Sequence, residues 1–190
     1  SIALFIASDE IISALFGYGQ FSESSVLNSA KALYFFSLGL PAFAIIKVFS
    51  NFFFANHDTK TPFYASLFSV ILNILISVYF FREIGFIIIP IATTISSWFN
   101  SMILFLILQK RNLFSFNSIF IKRFFKIVVS SILMGLFFNY LIVIFDDQLS
   151  YENSLKSVYL ILSVILGLGF YLLISFLIKA FQLEDIKLKY

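Results

Sequence analysis

Apolar residues fall along the chain in long unbroken runs, with few polar residues between them. Five runs, at about residues 33–55, 63–81, 84–109, 124–145 and 157–178, are each long enough to form a membrane-crossing helix. Such a helix needs roughly 20 apolar residues to cover about 30 Å of hydrocarbon. Barrel strands would alternate apolar and polar in segments of about ten residues, so the continuous runs predict helices. A shorter run, SIALFIAS, opens the chain and cannot span. It has neither the basic flank nor the small-residue cleavage site of a signal peptide. It is expected to be the end of a helix that starts upstream, which makes the chain the C-terminal part of a longer protein.

Between that stub and the first full run, Ile11, Ile12, Leu15 and Phe16 stand at helical spacing beside Asp9 and Glu10. This predicts a turn lying on the membrane surface, with residues 1–16 as truncated helix plus interfacial turn. Gly17 and Gly19 should end it, and the Ser-rich stretch that follows is expected to be a polar lead-in. The stretch NHDTKTP, residues 56–62, is expected to be a tight hairpin. Thr61 is suited to the N-cap and Pro62 to the first helical position, where its missing N–H costs nothing.

Composition agrees with the pattern. Hydrophobic residues make up 61% of the chain, charged residues 12%, and the mean hydropathy is +1.00. Soluble domains run at about 45–50% apolar and about 25% charged. The expected fold is all-α, a polytopic transmembrane helix bundle with residues 1–190 as one membrane domain. With no cysteine, disulfides, thiolate metal sites and Cys nucleophiles are excluded.

Charge orients the helices, because Lys and Arg concentrate in cytoplasmic loops. Lys110, Arg111, Lys122, Arg123 and Lys126 follow the third run, and Lys179, Lys187 and Lys189 follow the fifth. The connection DDQLSYENSLK between the fourth and fifth is acidic, with one Lys. Basic loops are therefore expected inside and the acidic loop outside. Residues 56–62 then lie inside, Arg82 and Glu83 outside, and residues 179–190 form a cytoplasmic tail.

The candidate chemistry lies on stripes within the runs. Ser66, Ser69, Asn73 and Ser77 share one face of the second; Ala92, Ser96 and Asn100 share one of the third. Ser37, Pro41, Ala44, Lys47 and Asn51 line up in the first, Ser131, Gly135 and Asn139 in the fourth, and Ser163, Gly167 and Ser175 in the fifth. Small residues let helices pack closely, and polar ones bond across helices; the same stripes could line a wet cavity. Lys47, Asn51, Asn73 and Asn100 are the candidates for substrate contact. Lys47 either snorkels to the headgroups or offers a cation to an anionic group. Pro41 and Pro90 each remove a helical hydrogen bond. His57 has no second His or Cys at ligand spacing, and Asp146–Asp147 has the character of a solvated helix end. No phosphate-binding Gly loop or nucleophile elbow occurs. No catalytic residue, metal site or cofactor is therefore expected, and no coupling ion is identified.

The stretches FGYGQFSESSVLNSAKAL, GLPAFAIIKVFSNFFFANHDTKTP, LNILIS and GFIIIPIATTISSWFNSMILFLIL resemble the MurJ/MviN family of lipid II flippases. That family belongs to the wider multidrug/oligosaccharidyl-lipid/polysaccharide exporter superfamily. The likeness is sharpest between Phe16 and Arg111. It implies the C-terminal lobe of a fourteen-helix, two-lobe transporter, from the end of its ninth helix through its last. It implies movement of an undecaprenyl-linked peptidoglycan precursor to the outer leaflet of the bacterial inner membrane by alternating access. The last two helices, residues 124–178, would line a groove for the lipid tail. Asp58, Lys60, Thr61 and Pro62 are carried over as motif-loop positions. Many members have Arg where Asn56 stands here, and the family's cavity arginines fall outside this chain. Two alternatives stand beside this expectation: another exporter of the superfamily, for polysaccharide-lipid or drugs, and a non-transporting scaffold for wall synthesis. The expected partners are the lipid substrate and membrane lipids, with no nucleic acid.

Overall fold

The computed structural model describes residues 1–114 and 117–180. The elements are α1 (Ile2–Ile6), α2 (Ser8–Phe16), α3 (Glu23–Ala55), α4 (Lys60–Ile84), a 3-10 turn (Gly85–Ile87), α5 (Ile88–Lys110), α6 (Ser118–Ile144), α7 (Asp146–Leu149) and α8 (Lys156–Leu177). No strand occurs among the described residues. Among the described residues four helical runs are long and apolar enough to cross a membrane: Glu23–Ala55, Lys60–Lys110, Ser118–Ile144 and Lys156–Leu177. The second has 51 residues because α4, the 3-10 turn and α5 follow one another without a break. The expected tail lies outside the described residues from position 181 onward.

Helix α6 begins at Ser118, where the Asn117 side chain caps it. Lys122 and Arg123, expected in the loop after the third run, are therefore helical. Two further element ends differ from expectation for a local reason. Helix α3 begins at Glu23, inside the stretch expected to be a polar lead-in. The Ser22 hydroxyl accepts from the Ser25 backbone N–H at 3.3 Å, and Glu23 stands in the first turn, where a carboxylate suits the helix dipole. Helix α4 runs on through Arg82 and Glu83, which were expected in a connection, and ends at Ile84. The next residue, Gly85, adopts φ 72°, a left-handed conformation that glycine takes without a Cβ penalty.

The chain divides into two compact units. The first holds α3 from Lys31 onward, α4 and α5; the second holds α1, α2, the start of α3, α6, α7 and α8. In the first unit α4 and α5 fold back as an antiparallel hairpin, since Ser66 meets Asn100 while Asn73 meets Thr93 and Ser96. The Thr94 hydroxyl and Trp98 indole N–H donate to the Phe35 and Leu38 carbonyls of α3. Phe53, Ala65, Leu104 and Leu108 form its apolar centre. In the second unit Ala7, Ala14, Phe138, Ile142, Leu149 and Leu160 form the centre. There α1 lies on α6 over Gly135, where a Cβ would stand 2.5 Å from the Ile2 side chain.

Both units are inverted relative to a soluble protein. Their buried positions include Ser37, Ser69, Ser96, Ser97, Asn100, Ser130, Ser163 and Ser175, while Leu75, Val78, Leu136 and Val143 stand more than 60% exposed. In water this would leave large apolar patches uncovered. In lipid it is the stable arrangement, because hydrocarbon solvates the outer face and the hydroxyls bond within the bundle.

Candidate functional site

The α4 and α5 stripes converge on one cavity in the first unit, of about 340 Å³. Asn73 and Asn100 both line it, together with Ser66, Ser69, Thr93, Ser96 and Ser97. The Asn73 amide donates to the Thr93 hydroxyl at 3.1 Å and the Ser96 hydroxyl at 3.3 Å, and the Asn100 amide donates to the Ser66 hydroxyl at 3.3 Å. Several hydroxyls are also turned back on their own helix: Thr93 to Ile89, Ser97 to Thr93 and Ser69 to Ala65. This back-bonding satisfies polar groups away from water. One acceptor is left over, the buried Asn100 Oδ1. No ionisable side chain stands in the wall, so the cavity offers hydrogen bonds and dipoles rather than formal charge.

Lys47 and Asn51 do not join that group. Both are exposed on α3, and neither lines the cavity. Lys47 forms no hydrogen bond or ion pair with another described residue. It stands eight positions before the end of α3, about 12 Å along the axis at 1.5 Å per residue. The four candidates therefore separate into a neutral pair inside the α4–α5 hairpin and an exposed pair on α3.

The motif loop proves to be a staple. Helix α4 starts at Lys60, so Thr61 is already helical and Thr59 occupies the N-cap. The capping oxygen is instead the Asp58 carboxylate, which accepts from the Thr61 backbone N–H at 3.0 Å and the Thr61 hydroxyl at 2.6 Å. Thr61 was expected to cap; Asp58 does so because its side chain reaches the free N–H groups of the first turn. Pro62 lies buried in that turn, and Lys60 is exposed as its first residue. Arg111, just past α5, donates to Asp58 at 2.5 Å and to the Thr61 hydroxyl at 3.1 Å, with its guanidinium 5.6 Å from the Phe53 ring centre. The Thr61 hydrogen bonds, followed by the Arg111 guanidinium, hold the Asp58 carboxyl well below the usual carboxylate range.

Lys156 is the residue that reading along the chain passed over. It is 1% exposed at the start of α8. Its Nζ donates at 2.7 Å to the carbonyls of Gly17 and Tyr151 and lies 4.5 Å from the ring centres of Tyr18 and Tyr151. Two carbonyls and two aromatic faces together replace the water a buried ammonium would lose. A Cβ at Gly17 would stand 3.1 Å from Nζ. In the sequence Lys156 is merely the one cation of an acidic connection, and its partner Gly17 is 139 positions away. The Gly-x-Gly turn was the only signal available.

These features define a multi-pass α-helical membrane protein with a hydrogen-bonding interior and an apolar outer face. The sequence profile of the family described as Lipid II flippase MurJ matches residues 1–160, and the chain belongs to that family. It is similar to a "Probable lipid II flippase MurJ" of Thermotoga maritima (strain MSB8), 33% identical over 98% of this chain and 36% of the relative. A protein of the same name in Rhizobium tropici is 30% identical over 94% of this chain and 34% of the relative. The "Lipid II flippase MurJ" of Burkholderia cenocepacia is 27% identical over 77% of this chain and 28% of its own length. The chain thus spans about a third of the length of the curated relatives it matches. Their names are those of a transporter rather than a catalyst.

Proposed function

We propose that this chain forms part of a lipid II flippase and moves an undecaprenyl-linked peptidoglycan precursor from the cytoplasmic to the outer leaflet of the bacterial inner membrane. The carrying observation is the family match over residues 1–160, laid on a multi-pass bundle with an inverted interior. In this reading the complete protein rocks between inward- and outward-open states. The apolar faces of α6 and α8 accommodate the lipid tail, and the C-terminus stays cytoplasmic. The neutral α4–α5 cavity offers hydrogen bonds to polar parts of the cargo or to a coupling ion. Lys47, exposed and without a hydrogen bond or ion pair among the described residues, offers a cation to an anionic group. Within these helices the cavity wall lacks the carboxylates that cation-coupled drug export calls for.

Depletion of the full-length protein tests the reading. Cells should accumulate lipid-linked precursor on the inner leaflet and lyse. Wild-type protein should rescue them, and Lys47→Ala protein, present at equal level, should rescue more weakly. Normal wall synthesis under depletion would defeat the proposal; full rescue by Lys47→Ala would leave that lysine only its snorkelling role.

A further inference from the structure

Cations gather where the start of α6 meets the end of α8. Lys122 and Lys126 stand four positions apart in α6, so they lie on the same side of that helix, one turn from each other. The Lys126 ammonium donates to the Lys179 carbonyl, just past the end of α8, at 3.4 Å. That bond places Lys179 beside the α6 lysines and uses one of the three N–H donors of Lys126. Lys122 and Lys179 are exposed, and among the described residues neither side chain has a hydrogen bond or an ion pair. Residues 117–145 and 157–180 contain no Asp or Glu. The remaining donors thus have no counter-charge on either helix.

A basic helix end by itself only orients a membrane protein. Here the surroundings narrow what the three cations suit. Phe124 and Phe125 of α6 and Phe176 and Leu177 of α8 are each more than 50% exposed at the same end. Leu136 of α6 and Leu168 of α8 continue the exposed apolar surface away from the lysines. Cations at the end of an apolar track fit an amphiphile with an anionic head and a long hydrocarbon tail. Charge then selects among such lipids. A phosphodiester carries a single negative charge and leaves most of the cluster unmatched. A diphosphate carries at least two, with oxygens enough to accept from all three ammonium groups.

We propose that Lys122, Lys126 and Lys179 form a capture site for the diphosphate of a polyprenyl-diphosphate lipid whose tail lies along α6 and α8. This site rests on the flippase reading, in which the cargo starts in the cytoplasmic leaflet and the C-terminus is cytoplasmic. A tail held along α6 and α8 leaves the diphosphate, bonded to its end, level with the three lysines. Capture there raises the local concentration of cargo without joining in its passage. It governs how readily cargo is taken up rather than how fast a loaded protein turns over.

The test uses purified full-length protein in detergent, with undecaprenyl diphosphate, undecaprenyl monophosphate and phosphatidylglycerol as probes and retained lipid read by native mass spectrometry. Undecaprenyl diphosphate should bind about tenfold more tightly than either singly phosphorylated lipid, each exposed ion pair contributing about threefold. The preference should vanish in a Lys122→Gln, Lys126→Gln, Lys179→Gln triple variant. If that variant does not accumulate, Lys122→Gln alone, exposed and outside the α6–α8 contact, should weaken diphosphate binding about threefold. In a reconstituted flipping assay the variants should need more cargo for half-maximal rate and keep the maximal rate. Equal binding of the three lipids, a preference the variants leave intact, or a fall in maximal rate alone would overturn the capture site. Inorganic pyrophosphate displacing the lipid at equal concentration would overturn the lipid source. Failure of the flippase reading itself shows separately, as depleted cells that build their wall normally.

Discussion

The polar interiors of the two units are made from the same sequence pattern and come out differently. In the α4–α5 hairpin, Asn73 and Asn100 reach across to hydroxyls of the facing helix, and a cavity remains between them. In α6 and α8, Ser130 and Ser163 bond back to Lys126 and Tyr159 of their own helices, and glycine allows tight apolar contact. Small and polar residues four apart say only that helices meet. An amide has the length and the paired donor and acceptor to bridge two helices; a serine hydroxyl is satisfied by its own carbonyl. The second unit holds a strong polar lock at the start of α8, on Lys156.

The largest expected effect follows from that lock. Lys156→Met leaves the Gly17 and Tyr151 carbonyls without their donor and should lower the stability of the full-length protein by about 3 kcal/mol, the scale of hydrogen bonds to a charged group. Thermal unfolding in detergent would measure it, and an unchanged midpoint would show that the cage contributes little. Next comes Gly135→Ala, whose Cβ would press against Ile2 and should cost about 1–3 kcal/mol by overpacking. The same assay reads it, and Asn139→Ala, an exposed position on the same stripe, is the neutral control. Asn73→Ala should cost about 1 kcal/mol or less, in the range of interhelical hydrogen bonds in membranes. It should also lower transport more than its stability loss explains, whereas an effect no larger than that of Asn139→Ala would erase the contrast between the units.

The smallest effect concerns pH. Asp58 is held below the 3.8 of an unperturbed carboxyl, so the folded state favours its ionised form. Its contribution is therefore fully present above about pH 4 and fades only as pH falls further. The Asp58→Asn variant should match the wild-type pH dependence except in that acidic range, as followed by unfolding midpoints between pH 3 and 7; a difference centred near pH 6 would mean another group dominates.

Much of the fold was legible because lipid simplifies the problem. Continuous apolar length identifies a helix, and the stripes named Asn73 and Asn100 as facing a partner. Helix ends were harder to read. Ser22 looks like loop until its hydroxyl is seen capping α3, and Arg82–Glu83 look like a connection because charge usually marks one. The motif loop announced its importance but not its wiring, since Arg111 lies 53 positions from Asp58. Lys156 was least legible of all: nothing local marks a cation whose partners come from Gly17 and Tyr18. Sequence spacing reports neighbours on one element, and these contacts join elements far apart in the chain.

The central claim is that greasy helices thread the bilayer with acidic and basic connections on opposite sides. The chain has no cysteine, so Asp147→Cys and His57→Cys, placed one at a time in an otherwise cysteine-free full-length protein, report on it directly. A membrane-impermeant maleimide applied to spheroplasts should label D147C at once and H57C only after the membrane is opened. Labelling of H57C in sealed spheroplasts, with D147C protected, would contradict the account.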